Sequence, residues 1–241
     1  MPQDELESLD AAARAEVLAY RDYHARRYAT LLGVVRAQLA TGGAAPRILD
    51  VGPNLQTDML RRETAAAVVD TLGYAHPLAG PGEGERHLEV DLDGIGDDRV
   101  PPADGSYDAV VMAEVIEHLH TAPSVVLGYL AGWLRPGGVL VVQTPNAVAL
   151  HKRLRMLLGR NPYEPIRTTP RNPGHFHEYT IAELRAAAAA AGLIPAGLIT
   201  ANYFGGSGAA HRLYAALGSV LPPSLRHGIT MWMRRPAAPG S

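Results

Sequence analysis

The sequence predicts an α/β protein built on an open, mostly parallel sheet, and three observations support this fold class. Residues 108–112 and 139–142 are short Val-rich runs, as in strands that are buried on both faces. Between them, a run that begins at Pro123 carries apolar residues at helical spacing. A charged cluster around Glu117 follows the first of these strands directly, at the end of a parallel strand where such sheets bind ligands.

Size and charge narrow the classes of function. A chain of 241 residues suits one α/β domain with additions, and 47% hydrophobic with 19% charged residues is typical of a globular protein. The net charge of −2 gives no reason to expect nucleic-acid binding, which depends on phosphate neutralisation. The absence of Cys excludes disulfides, thiolate metal sites and a Cys nucleophile.

The pattern of the chain predicts a cytoplasmic protein without a membrane span. The N-terminus is acidic and lacks the basic and then apolar pattern of a signal peptide. The longest apolar stretch, residues 186–199, is interrupted by Gly192 and Pro195 and is too short to cross a bilayer.

Residues 1–45 are predicted to form an N-terminal helical cap. Apolar residues recur at helical spacing over residues 6–39. The aromatic and basic section at 20–28 could contact a ligand, but we favour an amphipathic helix that packs its Tyr rings on the core.

The α/β core is predicted over residues 46–146, and its first strand covers residues 47–51. Asp50 and Gly52 end this strand, and a glycine allows the backbone to approach a ligand closely. The loop then continues as Pro53 and Asn54, so a simple strand-to-helix turn capped by Asn54 or Thr57 is the alternative.

Acidic residues also close the next two predicted strands. Residues 66–69 end at Asp70, where a carboxylate can accept both hydroxyls of a ribose, unless Asp70 is a solvated loop residue. Residues 87–90 end at Asp91, whose side chain could instead cap its own turn.

The region after the core contains a basic segment, and we predict a lid at residues 147–180. Between 151 and 171 there is one acidic residue, Glu164, against a set of basic side chains. These are Lys152, Arg153, Arg155, Arg160, Arg167 and Arg171. Such a lid could attract an anionic substrate, or it could be a solvated helix face followed by an irregular loop.

Residues 181–235 are predicted to complete the core. Thr180 and Glu183 form a capping box before a helix at 181–191. Strands follow at 193–200 and 228–234, with an insertion at 202–227 between them and a tail at 236–241.

Two phrases carry a family resemblance, YDAVVMAEVIEHL at 107–119 and LRPGGVLVVQTPN at 134–146. They resemble the fourth and fifth strands of class I S-adenosylmethionine-dependent methyltransferases, in particular the ubiquinone-biosynthesis O-methyltransferases and the small-RNA 2′-O-methyltransferases. The resemblance implies a Rossmann-like seven-stranded sheet with an antiparallel last strand, N-terminal helices and a lid insertion after strand 5. It also implies S-adenosylmethionine as cofactor, with Asp91 on the adenine amino group and Leu92 against the ring. The full set of cofactor residues would be Asp50, Gly52, Asn54, Asp70, Asp91, Leu92 and Ala113.

The same resemblance implies a divalent metal, Mg²⁺ or Mn²⁺. The ExxEH motif of these groups matches Glu114, Glu117 and His118, and the segment HFHEYT at 175–180 puts His175 in the role of a further ligand. If Glu114 begins a helix, Glu117 and His118 lie on its same face. A bound ion would lower the pKa of an acceptor hydroxyl. Alternatively, His175, His118 or His177 could take the proton directly, or the acidic residues could simply complement a helix dipole.

We therefore expect a metal-assisted O-methyltransferase acting on a small-molecule or glycoside acceptor, such as a sugar, a phenol or a natural-product hydroxyl. A methyltransferase-like binding or scaffold protein is the alternative from another class, because Gly52 is the only glycine left of the usual GxGxG loop. An RNA 2′-O-methyltransferase is less expected on charge. The sequence does not separate O- from N- or C-methylation and does not indicate the oligomeric state.

Overall fold

A computed structural model of the protein describes residues 10–40, 45–64, 66, 68–76, 79–95, 103–168, 174–203, 214, 218 and 220–237. The predicted helix start before Asp10, Arg171 of the lid, most of the insertion at 202–227 and residues 238–241 lie outside these ranges.

The elements within this part of the chain alternate between helices and strands. The α-helices are α1 (Ala11–Leu39), α2 (Leu55–Glu63), α3 (Pro123–Trp133), α4 (Leu150–Leu157) and α5 (Ile181–Ala190). The strands are β1 (Arg47–Val51), β2 (Val68–Gly73), β3 (His87–Glu89), β4 (Tyr107–Ala113), β5 (Leu134–Pro145), β6 (Ile194–Ala201) and β7 (Gly228–Arg234). Short 3₁₀ segments occur at Leu92–Gly94, Ile116–His118 and Pro223–Leu225. None of the helices described is both long and apolar enough to pass through a membrane.

The strands form one seven-stranded sheet in the order β3-β2-β1-β4-β5-β7-β6. The strands β1 to β5 pair in parallel, whereas β7 is antiparallel to both β5 and β6. The strand order reverses between β1 and β4, which is where sheets of this type bind ligands beyond their carboxyl ends. The predicted Rossmann-like sheet with an antiparallel last strand is confirmed.

Helices cover both faces of this sheet, so two apolar layers are buried. On one face, α1 and α2 bury residues such as Leu31, Val35 and Leu60 against β1, β2 and β4. On the other, α3 and α5 bury Leu127 and Leu184 with residues of β4, β5 and β7. Strands that are covered on both faces read as continuous apolar runs, which explains why these strands could be found in the sequence.

Two predicted boundaries are wrong. The strand β2 runs to Gly73 instead of ending at Asp70, because its last residues pair with β3 on one side and with β1 on the other. The strand β5 spans residues 134–145, whereas the prediction placed it at 139–142. Residues 134–138 form a bulge at the start of β5, where Gly137 adopts a φ of 79°.

Glu114 does not begin a helix, which is a further correction. It has a φ of 56°, the one left-handed backbone conformation among the described non-glycine residues. This turn directs the chain from β4 into the 3₁₀ segment Ile116–His118. A left-handed conformation at a residue other than Gly is strained, and such strain is concentrated at functional sites.

Candidate active site

A cleft of about 720 Å³ lies at the carboxyl end of the parallel strands. Its walls come from the ends of β1, β2, β3 and β4 and the loops that follow them, at residues 52–54, 73–76, 90–93, 114–115 and 118–120. Tyr20 and His24 of α1 line the same cleft, as do Glu164 and His175 from the region after β5. The site predicted at this end of the sheet therefore receives contributions from the N-terminal cap and from the predicted lid.

Gly52 lines the cleft and has a φ of 74°. A Cβ at this position would lie 2.5 Å from Cγ2 of Val115, so the missing side chain makes room for the loop after β4. The loop is fixed further by Asn54, which accepts a hydrogen bond from the backbone of Gln56 and caps α2. Both the cofactor role and the capping role considered for Asn54 are compatible with its place in the cleft wall.

Asp50 is buried directly beneath this loop and does not line the cleft. Its two carboxylate oxygens accept hydrogen bonds from Nε2 of Gln56 at 2.9 Å and Oγ1 of Thr57 at 2.7 Å. Burial raises the pKa of Asp50 to about 7. Asp50 therefore ties β1 to the first turn of α2.

Asp70 lies away from the cleft, which corrects its predicted role as a ribose acceptor. Because β2 continues for three residues beyond it, its carboxylate lies inside the sheet and accepts hydrogen bonds from Tyr107, Arg86 and Arg47. Burial would raise the pKa of Asp70, but the hydrogen bonds from Tyr107 and Arg86 hold it below its usual value. The carboxyl end of β2 is instead occupied by Gly73.

Asp91 and Leu92 both line the cleft, as the resemblance implies. The carboxylate of Asp91 accepts a hydrogen bond from the backbone of Asp93 at 3.0 Å, so the capping alternative is also observed. Leu92 is buried and offers an apolar surface beside it. Ala113, at the end of β4, is buried and does not line the cleft.

Three of the four predicted metal ligands come together. Glu117, His118 and His175 each offer a ligand atom, and these atoms lie within 4.8 Å of one another. Backbone hydrogen bonds from Phe176 and His177 to the carbonyl of Glu117 hold the two chain segments in this contact. We call Glu117, His118 and His175 the EHH trio. Glu114 lines the cleft but lies outside the trio.

Glu117 is fully buried within the trio. Its Oε2 accepts a hydrogen bond from Oγ1 of Thr144 at 2.9 Å, whereas Oε1 has no hydrogen-bond partner among the described residues. Burial and the neighbouring carboxyl of Glu114 raise the pKa of Glu117 well above its usual range. Burial likewise raises the pKa of Glu114. A buried carboxylate oxygen without a partner is costly unless a cation or a proton satisfies it.

The two imidazoles are oriented by their Nδ1 atoms. Nδ1 of His118 donates to the carbonyl of Gly174 at 2.8 Å, and Nδ1 of His175 donates to Oε1 of Glu178 at 3.0 Å. Nε2 of each ring is thereby left as the nitrogen that can bind a ligand. Burial lowers the pKa of both residues, and with the help of His118 that of His175 falls to about 4. Both rings are therefore neutral near pH 7, the form that binds metals.

His177, the third predicted proton acceptor, lies outside the cleft. It is exposed, and its Nε2 contacts Oε1 of Glu183 at 3.3 Å. The sequence interpretation missed Glu178 and Lys152, which form a buried ion pair behind His175. Burial lowers the pKa of Lys152 to about 8. Glu178 lies in the HFHEYT segment already singled out, so its spacing of three residues from His175 was the available signal.

Comparison with known proteins adds an independent finding. Residues 20–194 match a family described as Methyltransferase domain. A probable S-adenosylmethionine-dependent methyltransferase of Mycolicibacterium smegmatis (strain ATCC 700084 / mc(2)155) is 32% identical over 173 residues, which cover 69% of this chain. The matched region spans 58% of the length of that relative.

Solved structures share the fold at low identity. A chain from the complex between the Haloferax volcanii Trm112 methyltransferase activator and a methyltransferase aligns with a TM-score of 0.62 and 16% identity, covering 93% of this chain and 96% of that one. A Burkholderia thailandensis 1,6-didemethyltoxoflavin-N1-methyltransferase, solved with S-adenosylhomocysteine, aligns with a TM-score of 0.54 and 16% identity. That alignment covers 90% of this chain and 81% of the other.

Proposed function

Because this chain belongs to the methyltransferase domain family, we propose that it transfers a methyl group from S-adenosylmethionine to a hydroxyl that is activated beside a divalent metal ion. The acceptor would be a small molecule or a glycoside. The observation that carries the metal part of the proposal is the EHH trio, whose ligand atoms lie within 4.8 Å of one another in the cleft region.

The donor chemistry of the trio fits a divalent cation. Oε1 of Glu117 is buried without a hydrogen-bond partner among the described residues, and Nε2 of each histidine is left for a ligand by the bond at Nδ1. A cation held by one carboxylate and two imidazoles would keep further coordination positions for an acceptor or water. Imidazole suits Mn²⁺ better than Mg²⁺, which prefers oxygen ligands, so we expect tighter binding of Mn²⁺. A divalent ion supplies positive charge that lowers the pKa of a nearby hydroxyl.

Residues at the ends of β1 and β3 would hold the methyl donor. We assign this role to the backbone at Gly52, the side chain of Asn54 and the pair Asp91 and Leu92, all of which line the cleft. S-adenosylmethionine supplies an electrophilic methyl group on a sulfonium. The task of the chain is to orient donor and acceptor and to exclude water, because correct positioning removes much of the entropic barrier.

The neutral histidines also support the alternative route to activation. In a protein without a bound ion, Nε2 of His175 or His118 would accept the proton of the acceptor hydroxyl directly. The hydrogen bond from His175 to Glu178 would then stabilise the imidazolium that forms. Both routes use the same two rings, so they are separated by the metal dependence of the reaction.

The test begins with protein stripped by a chelator. Calorimetric titration should detect binding of Mn²⁺, and His175→Ala should abolish this binding and the turnover while leaving affinity for S-adenosylmethionine nearly unchanged. His177→Ala is the matched control, because His177 lies outside the EHH trio. Pools of candidate acceptors would be screened by release of S-adenosylhomocysteine. An absence of metal binding together with activity that ignores chelator would refute the metal-assisted mechanism. Failure of S-adenosylmethionine to raise the melting temperature would favour a scaffold.

A further inference from the structure

The helix α4 and the loop after it carry an unusual surface. Five large apolar side chains of this segment are exposed, with Leu157 at 82%, Leu158 at 72% and Ile166 at 66% of their full accessible area. Leu154 and Met156 are about half exposed. The same segment carries exposed arginines at positions 153, 155 and 160. We call residues 153–160 with Ile166 the basic apolar face.

The orientation of α4 is fixed by its inner side. Lys152 is buried and forms an ion pair with Glu178, which in turn binds His175 of the EHH trio. Because α4 is held in this way, the following residues point outward. Leu154, Leu157 and Leu158 are spaced at i, i+3 and i+4 and so lie on one side of the helix. The exposed leucines are thus presented by an ordered helix.

The charge of this face is positive, in contrast to the protein as a whole, whose net charge is −2. Glu164 is the one acidic residue between positions 150 and 168, and it pairs with Arg167 at 2.5 Å. Neither Arg155 nor Arg160 forms an ion pair with a described residue. A surface that combines unpaired arginines with outward leucines is complementary to a surface that is both anionic and apolar.

The basic apolar face also adjoins the cleft. Glu164 and Arg167 line the cleft, and Ile166 lies between them in the chain. A surface docked on Ile166 and α4 would therefore lie at the cleft rim. An acceptor dissolved in that surface could reach the EHH trio without first passing through water.

We propose that the basic apolar face binds the surface of an anionic lipid bilayer, with the leucines in the interfacial region and the arginines on the headgroups. Leu and Met dissolve in acyl chains, and each arginine near an anionic surface strengthens binding about fivefold. An interface between proteins would more commonly show a desolvated apolar centre within a polar rim. Here Arg153 and Arg155 flank Leu154 within α4, and Arg160 follows Leu157 and Leu158 just beyond the end of the helix. The binding does not require that the proposed methyl transfer be correct.

The experiment is sedimentation with sucrose-loaded vesicles, using the full chain without cofactor. We expect the protein to bind vesicles that contain about 30% phosphatidylglycerol at least about tenfold more tightly than pure phosphatidylcholine vesicles, with a loss of binding at high salt. Leu157→Glu/Leu158→Glu should weaken binding by about tenfold or more through loss of the apolar contact. Arg155→Gln/Arg160→Gln should weaken it to a similar degree, and only on the anionic vesicles.

Matched controls come from exposed positions elsewhere on the chain. Val220→Glu, at a site that is 74% exposed, and Arg185→Gln on α5 should leave vesicle binding unchanged. Circular dichroism and melting temperature would establish that every variant is folded. Equal affinity for the two kinds of vesicle, or no binding to either, overturns the proposal. The other contrary outcome is a protein that fails to bind vesicles but self-associates, with Leu157→Glu/Leu158→Glu abolishing the self-association. That result would assign the face to a protein interface and would also overturn the proposal. Methyl-transfer assays with a dissolved acceptor test the proposed function separately.

Discussion

Nδ1 of His175 donates a 3.0 Å hydrogen bond to Oε1 of Glu178, whose other oxygen forms a buried ion pair with Lys152. This connection runs from α4 through the later part of the predicted lid to the EHH trio. A carboxylate behind a histidine fixes the tautomer and the ring orientation, and it makes Nε2 a stronger donor towards a metal. The rigidity of the candidate metal site therefore depends on residues that do not themselves belong to the trio.

Glu178→Gln should weaken the binding of Mn²⁺ by roughly 10–100-fold, because the amide retains the shape of the side chain but loses the charge that supports His175. Calorimetric titration of metal-free protein measures this change directly. Glu183→Gln is the control, since Glu183 contacts His177 and neither residue belongs to the EHH trio.

A complication of that variant is that Lys152 keeps its buried charge after its partner is removed. The double variant Lys152→Met/Glu178→Gln removes both charges and should recover much of the lost stability. The weakened metal binding should persist in it, because the charge behind His175 is still missing. Recovery of metal affinity in the double variant would mean that strain from Lys152, and not the loss of support for His175, caused the defect.

Metal binding should become tighter as pH rises, and the proton released should come from Glu117. Burial and the carboxyl of Glu114 raise the pKa of Glu117, so this group must lose a proton to bind a cation. The pKa of His175 is lowered to about 4 and that of His118 is also lowered, so both rings are already neutral near pH 7. Calorimetry in buffers of different ionisation enthalpy counts the protons released for each ion bound.

Thr144→Val identifies the group that titrates. Thr144 donates to Oε2 of Glu117 and so stabilises its charged form, and removal of the hydroxyl should shift the rise in metal affinity to higher pH. A release of protons that is centred near the usual pKa of histidine, about 6.5, and is unaffected by this variant would assign the protons to the imidazoles instead.

The strands were predictable because a strand that is buried on both faces consists almost entirely of apolar residues. The bounds of β7 agree with the prediction to the residue, and β4 differs by one residue at each end. The role of Asp70 was not predictable in this way. Its position depends on where β2 stops pairing, and that is decided by β3, which lies across a loop of irregular sequence.

The metal ligands were partly predictable for a different reason. Glu117 and His118 are adjacent in a motif, and His175 was linked to them only through the resemblance of a second motif. The contact between the motifs is made by backbone hydrogen bonds from Phe176 and His177 to Glu117, which have no signature in side-chain types. The partnership of Lys152 with Glu178 likewise depends on how α4 packs, and a run of basic residues does not indicate which of them is buried.

Asp50→Asn should change how stability depends on pH. The pKa of Asp50 is raised from about 3.8 to about 7 in the folded protein, so the folded state holds a proton that the unfolded chain releases. The contribution of Asp50 to stability is therefore fully present below about pH 4 and is lost as pH rises towards 7, by at most roughly 4 kcal/mol. Asp50→Asn does not lose stability in this way as pH rises. The difference in free energy of unfolding between the wild type and the variant, measured by urea unfolding, should therefore shrink between those pH values. Asp22→Asn, at an exposed position, should leave the dependence unchanged. A deficit for Asp50→Asn that stays constant with pH would contradict the raised pKa.

Gly52→Ala should destabilise the protein and loosen the loop at residues 52–54. Gly84 offers a control that separates backbone strain from the clash with Val115. Ala at position 52 would adopt a φ of 74° and would place its Cβ 2.5 Å from Cγ2 of Val115.

Gly84 has a nearly equal φ of 76°, but a Cβ there would meet nothing within 4 Å. Gly84→Ala should therefore cost about 1 kcal/mol from backbone strain alone, and Gly52→Ala should cost about 1–3 kcal/mol more because of the clash. The double variant Gly52→Ala/Val115→Ala should recover the second part and keep the first. Urea unfolding gives these energies, and the shift in melting temperature with S-adenosylhomocysteine reports on the loop. Equal costs for Gly52→Ala and Gly84→Ala would show that the loop after β4 moves away freely, so that Val115 does not hold the loop at residues 52–54 in place.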